Sequence, residues 1–155
     1  MAGRTEKYIG SWLAKGSVKR ENLVIATKVS GPGRAFLPHN RGQTHKSASS
    51  LERDQIRAAA QASIQRMGCS YLDILYLHWP ERPCCNFGRT VFNPEQAESA
   101  NPVPFEEQVQ GMKELYDEGT IRGWALSNET AYGVTMHCEA AKKLNAPLPC
   151  AHIRV

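Results

Sequence analysis

Apolar and polar positions come in blocks along this chain, and three apolar blocks end the same way. Leu23-Val24-Ile25-Ala26-Thr27 runs into Lys28, Tyr71-Leu72-Asp73-Ile74-Leu75-Tyr76-Leu77 runs into His78, and Ile121-Arg122-Gly123-Trp124-Ala125-Leu126 runs into Ser127-Asn128. The polar ends lie 50 residues apart (28 to 78) and 49 apart (78 to 127). Their length and composition predict buried strands over 23–28, 71–77 and 121–126, apolar enough to be covered on both faces; Asp73, near the start of the second, is the exception.

Helical periodicity fills the intervals. Tyr8, Ile9, Trp12 and Leu13 form an apolar stripe over 4–15, with Gly16 as a stop; Ile56, Ala59, Ala60, Ile64 and Met67 line one face of 51–67, ended by Gly68. A third helix is predicted over 104–118, ended by Gly119, and a fourth over 130–145, followed by Pro147 and Pro149. The tail 151–155 opens a fourth strand. Two long stretches, 30–50 and 80–104, are broken by glycine and proline, and loops of that length after a strand fit lids over a strand-end pocket. The order α-β-α-β-α-β-α-(β) predicts a parallel α/β fold. In a closed barrel of such units the carboxyl ends of the strands converge on one mouth, which brings Lys28, His78 and Ser127-Asn128 together. Beginning with a helix and stopping inside a strand, the rhythm reads as the middle of something larger.

Composition narrows the class. A length of 155 residues fits one domain, and 41% hydrophobic with 22% charged residues is an ordinary globular balance. No apolar run is long enough for a membrane span, and the start Met-Ala-Gly-Arg-Thr-Glu-Lys lacks the apolar core of a secretion signal. The net charge of +4 is modest. Its basic cluster, Arg34, Arg41 and Lys46 with His39 and His45, lies in a Gly- and Ser-containing stretch that reads as a solvated loop, so neither a nucleic-acid nor a membrane partner is expected. Five cysteines without a framework read as reduced thiols in a cytoplasmic setting, and the Asn128-Glu129-Thr130 glycosylation pattern says nothing without secretion.

Each candidate for chemistry has a plain structural counterpart. Lys28 can bind an anion or lower the pKa of a neighbouring acid, or it can simply extend to the surface from a strand end. His78, beside Trp79-Pro80, can polarise a carbonyl or move a proton, or serve as a hydrogen-bonded structural histidine. Ser127-Asn128 suit an amide partner, or cap the next helix. Cys84-Cys85 with His78 or His137-Cys138 lack zinc-ligand spacing, so no metal site is expected. Gly31-Pro32-Gly33 is neither a dinucleotide fingerprint nor a Walker loop.

Together, Val24-Ile25-Ala26-Thr27-Lys28, Tyr71-Leu72-Asp73-Ile74 leading to Leu77-His78-Trp79-Pro80, and Ile121-Arg122-Gly123-Trp124-Ala125-Leu126-Ser127-Asn128-Glu129-Thr130 resemble the aldo-keto reductase family from about Thr5 to Pro149. The run Thr27-Lys28-Val29-Ser30-Gly31-Pro32 and the loop Arg82-Pro83 to Asn86-Phe87-Gly88 are similar to its Tas-like subgroup. The resemblance implies part of a (β/α)₈ TIM barrel, with about half of the barrel units in one partial domain over 1–155, truncated at both ends. It implies NADPH-dependent reduction of a small-molecule aldehyde or ketone, with Lys28 and His78 catalytic and Ser127 and Asn128 holding the nicotinamide carboxamide. The family's proton-donating tyrosine, and the aspartate that holds the lysine, belong to a segment upstream of the helix at 4–15; its phosphate-binding units follow a glutamine-bearing strand after Pro149. The resemblance therefore implies an isolated fragment with negligible activity. The alternative is a non-catalytic truncated product that acts as an interaction module, as channel-associated members do, or that has no function. Neither the carbonyl substrate nor the oligomeric state is written in these residues.

Overall fold

The computed structural model describes residues 3–31, 50–85, 91–95 and 100–152. The lid expectation for 30–50 lies largely outside these residues and that for 80–104 in part, and the basic cluster from Arg34 to Lys46 lies outside them. In chain order the elements are α1 (Arg4–Leu13), a 3₁₀ turn (Arg20–Asn22), β1 (Ala26–Val29), α2 (Arg53–Met67), β2 (Ile74–Leu77), α3 (Phe105–Asp117), β3 (Trp124–Ser127), α4 (Ala131–Lys143) and β4 (Cys150–His152). The strands form one parallel sheet in the order β1-β2-β3-β4. No described helix is long and apolar enough to cross a membrane.

The first three strands each begin three residues later than their apolar runs. The reason is Asp73. Its Oδ2 accepts from the Ile25 amide at 2.8 Å and from Arg20 Nη2 at 2.7 Å, and Arg122 lies 3.5 Å from Oδ1. The Ile25 carbonyl accepts from the amides of Asp73 and Ile74. The amino ends of the three strands are thus tied by a carboxylate before regular pairing starts, and an isolated bridge, Leu72 to Ile121, joins the second and third there. Pairing then runs Lys28 to Tyr76, Tyr76 to Ala125, and Ala125 to Cys150.

The helices stack in sequence, α1 on α2, α2 on α3 and α3 on α4. The core lies between them and the sheet: Val29, Leu75, Leu77, Trp124 and Leu126 meet Ile56, Ala60, Met67, Val109, Met112 and Leu115. Strand alternation sorts the faces. Leu75 and Leu77 are buried toward the helices, while Ile74 and Tyr76 on the other face are half-buried. The stripe expected on α1 splits: Ile9 and Leu13 pack on the core, but Tyr8 and Trp12, one step round the helix, are 70% and 44% exposed. Gly68 and Gly119, with φ of 63° and 74°, adopt the left-handed conformation that ends a helix without a Cβ clash.

Candidate functional site

The carboxyl ends of β1, β2 and β3 are adjacent, so the fold brings the three sequence-predicted positions together. Lys28 is exposed on β1, on the same face as its register partner Tyr76. Its Nζ lies 5.0 Å from the centroid of the Tyr76 ring. His78 follows β2 and its amide donates to the Val29 carbonyl at 3.0 Å, which continues the strand pairing to the mouth. A cavity of about 290 Å³ opens beside these two residues, walled by Thr27, Ser30, Ser63 and Arg66 among others; Ser127 and Asn128 do not line it.

Ser127 is 5% exposed at the end of β3. Asn128 follows in the left-handed conformation, φ 58°, which asparagine tolerates better than most residues. That turn aims its side chain back at the site: Nδ2 donates to the His78 carbonyl at 2.8 Å and to Ser127 Oγ at 3.1 Å. The capping alternative is not the arrangement found, because the cap of α4 is Thr130, whose hydroxyl accepts from the Gly133 amide at 3.2 Å. Asn128 Oδ1 has no partner among the described residues, so the pair Ser127 and Asn128 retains an acceptor for an amide N–H.

The segment from His78 to Arg82 is stitched to its neighbours on both sides. Glu81 Oε2 accepts from the Leu51 amide, ahead of α2, at 2.7 Å. Arg82 grips Glu129 through both nitrogens, at 2.9 and 2.7 Å, and reaches the Thr130 hydroxyl at 2.8 Å. Burial disfavours the Arg82 charge, but the Glu129 carboxylate more than compensates and holds the guanidinium above its ordinary pKa. The bidentate pair lies among the rings of Phe105 and Tyr132. Behind it His137 is buried, Nδ1 2.8 Å from the Gly133 carbonyl and Nε2 3.3 Å from Gln108 Oε1.

Among the described residues no His, Cys, Asp or Glu cluster could hold a metal ion, and all five cysteines are free. Sequence reasoning missed Tyr76, Arg82 and Glu129. Tyr76 was legible in principle: a residue two before His78 on a strand shares its face. Arg82 and Glu129, 47 residues apart, carried no local signal.

Residues 1–151 match the model of the aldo/keto reductase family. The chain is 38% identical over 145 residues to "Protein tas" of Escherichia coli K12, covering 94% of this chain and 40% of that protein. It is 28% identical over 145 residues to a probable voltage-gated potassium channel subunit beta of Arabidopsis thaliana, covering 92% of this chain and 35% of that one. The structure superposes on the thermostable aldo-keto reductase Tm1743, crystallised with the inhibitor epalrestat, with a TM-score of 0.62 at 25% identity, over 97% of this chain and 40% of that chain. The chain thus spans about 40% of the first of these relatives and of the solved structure.

Proposed function

The chain belongs to the aldo/keto reductase family, and from that premise we propose that it carries the Lys–His part and the carboxamide-binding part of an NADPH-dependent reductase of small aldehydes or ketones. One observation supports this most: register alone sets Lys28, His78 and Ser127-Asn128 at the carboxyl ends of three consecutive parallel strands, the end at which barrels of this kind hold their sites.

NADPH, when bound, supplies hydride to the carbonyl carbon. Ser127 and Asn128 fit its carboxamide by chemistry, a hydroxyl and a side-chain amide whose Oδ1 is open. His78 donates a hydrogen bond to the carbonyl oxygen, and Asn128, bonded to the His78 carbonyl, fixes that residue relative to the cofactor side of the site. The Lys28 ammonium stabilises negative charge growing on the same oxygen. The tyrosine and aspartate of the family mechanism have no counterpart assigned within residues 1–155. On that account residues 1–155 alone should run on the order of 10²–10⁴-fold slower than a chain that supplies a general acid. The reading also places the protein in the cytoplasm. The non-catalytic alternative draws on the likeness to the potassium channel subunit.

NADPH fluorescence, titrated with the protein, tests the site directly. Saturable binding is expected, weakened about tenfold or more when Ser127 and Asn128 are both replaced by alanine, since each removes a hydrogen-bonding group. Aldehyde-dependent oxidation of NADPH, followed at high protein concentration, should fall a further 10²-fold or more in His78→Phe. Binding and turnover indifferent to all three substitutions would overturn the assignment and leave the non-catalytic reading.

A further inference from the structure

We propose that Arg82 and Glu129 are positioning residues for Asn128: their bidentate ion pair holds the turn after β3 in the conformation that points the Asn128 side chain at His78. The proposal rests on the reading of Asn128 given above. Two contacts join the end of β3 to the segment after β2. Asn128 Nδ2 donates to the His78 carbonyl at 2.8 Å, and Arg82 grips Glu129 at 2.9 and 2.7 Å. Only Trp79, Pro80 and Glu81 separate His78 from Arg82, and Asn128 adjoins Glu129. Chain and contacts therefore close a small ring with Asn128 in it. Across that ring Asn128 contributes a single neutral hydrogen bond, whereas the Arg82–Glu129 contact is charge-assisted and double.

Asn128 needs such a hold. Its φ of 58° is left-handed, a conformation that a residue with a side chain keeps only where its surroundings fix it. The next residue supplies the fixing. Besides the two bonds from Arg82, Glu129 Oε2 accepts from the Thr130 amide at 3.0 Å, and Arg82 Nη2 also reaches the Thr130 hydroxyl at 2.8 Å. Thr130 in turn caps α4. One guanidinium thus fixes both residues that follow Asn128, and Gly133 leaves the room that the carboxylate occupies. Stability alone is a weak account of this pair. The Glu129 side chain is 4% exposed and that of Arg82 19%, and the desolvation of buried charges offsets much of their attraction. A fork on a carboxylate adds angle as well as distance. Lysine at position 82 would keep the charge and lose the angle; glutamine at 129 would keep the shape and lose the charge.

The test reads the side chain and the cofactor separately in the 155-residue chain. With ¹⁵N-labelled asparagine, and Asn128→Ala to assign the signal, the Asn128 side-chain amide protons should exchange with solvent more slowly than those of an exposed asparagine. That protection should be lost in Arg82→Lys and in Glu129→Gln. NADPH fluorescence titration reads the cofactor. Asn128→Ala sets the ceiling, because removing one hydrogen-bonding side chain weakens binding about two- to tenfold. Arg82→Lys and Glu129→Gln should each weaken it by a factor up to that ceiling. In an Asn128→Ala background they should weaken it no further, since residues that act through one contact are coupled rather than additive. Circular dichroism checks folding, and either variant carries the comparison if the other fails to fold. An Asn128 amide unprotected in the parent chain, or still protected in the variants, overturns the proposal. So does a weakening that repeats in full in the Asn128→Ala background, the mark of a general structural role. Binding lowered by Asn128→Ala but by neither variant overturns the positioning role and leaves the proposed function standing. Binding indifferent to Asn128→Ala removes the carboxamide reading, and the positioning role with it.

Discussion

Asp73 is the residue on which the amino ends of the strands converge, and its charge does the tying. Burial by itself would raise its pKa, but the Ile25 amide, Arg20 and Arg122 together bring it below its ordinary value of 3.8. Asp73→Ala leaves the buried Ile25 amide without its acceptor and the part-buried Arg20 guanidinium with only the Leu23 and Tyr71 carbonyls, and should cost about 2–3 kcal/mol at neutral pH in urea unfolding. Because the folded carboxyl is the stronger acid, its contribution is complete above pH 3.8 and is lost as pH falls through the folded value. The gap between parent and variant should therefore close in acid. His137 works in the opposite chemical sense. Burial holds its imidazole below the ordinary 6.5, against the pull of the Gly133 carbonyl and Glu129, with the Arg82 charge adding to the depression. When neutral, the ring donates through Nδ1 to Gly133, and its Nε2 faces another acceptor, Gln108 Oε1, because the Gln108 amide is engaged by the Val103 carbonyl at 2.8 Å. Below pH 6.5 the unfolded chain takes up a proton that the folded one resists, so stability should fall with pH there. Urea midpoints across that range should show a flatter dependence in His137→Leu. Neither residue's role was legible beforehand. Asp73 stood out only as an exception in an apolar run, and His137 only as a neighbour of Cys138, because their partners, Gly133 apart, are 29 to 53 residues away in sequence.

At the scale of elements, the helices were legible to within about two residues because periodicity and glycine stops are local signals. The strands were not, because their starts are set by a side chain in another strand's approach. The cap of α4 was not legible for a related reason. Ser127, Asn128 and Thr130 are all good caps by type, and only the left-handed turn at Asn128 decides that the first two stay with the site and Thr130 takes the helix. The first turn of α4 also carries Gly133, where a Cβ would run into the Glu129 carboxylate and lie 2.6 Å from Arg82 Nη2. Two effects oppose each other in Gly133→Ala. Alanine favours a helix over glycine by about 1 kcal/mol. Overpacking against a buried ion pair costs about 1–3 kcal/mol, and more if the pair separates. The clash should win, lowering the thermal midpoint. Since Arg82 and Asn128 both bind across the same seam, the variant should also weaken NADPH binding, measured by the same fluorescence titration.

For the molecule as a whole, sequence order became spatial order: each strand–helix–strand crossover places the next parallel strand beside the last, so three crossovers in a row yield β1-β2-β3-β4. That order leaves β1 and β4 as the edges of the described sheet, and an edge strand offers unpaired amides and carbonyls to any other chain. β1 adds apolar exposure, with Val24 76% exposed just before it and Ala26 exposed within it. The residues that protect natural edges, inward charges and prolines, are represented there by Lys28 alone, and its ammonium rests on Tyr76. Expressed by itself, the stretch 1–155 should therefore self-associate in a concentration-dependent way at micromolar levels. Sedimentation velocity should show the weight-average coefficient rising with concentration. Because apolar contact and strand pairing drive the association, 0.5 M salt should not reverse it, whereas screening would dissolve a charge-driven complex. Val24→Lys with Ala26→Lys places two charges on the β1 edge and should return the chain to a monomer without touching Lys28, His78, Ser127 or Asn128. A parent chain that stays monomeric through the same concentrations would mean that β1 is already covered, and the residues outside the described set would be the place to look for the cover.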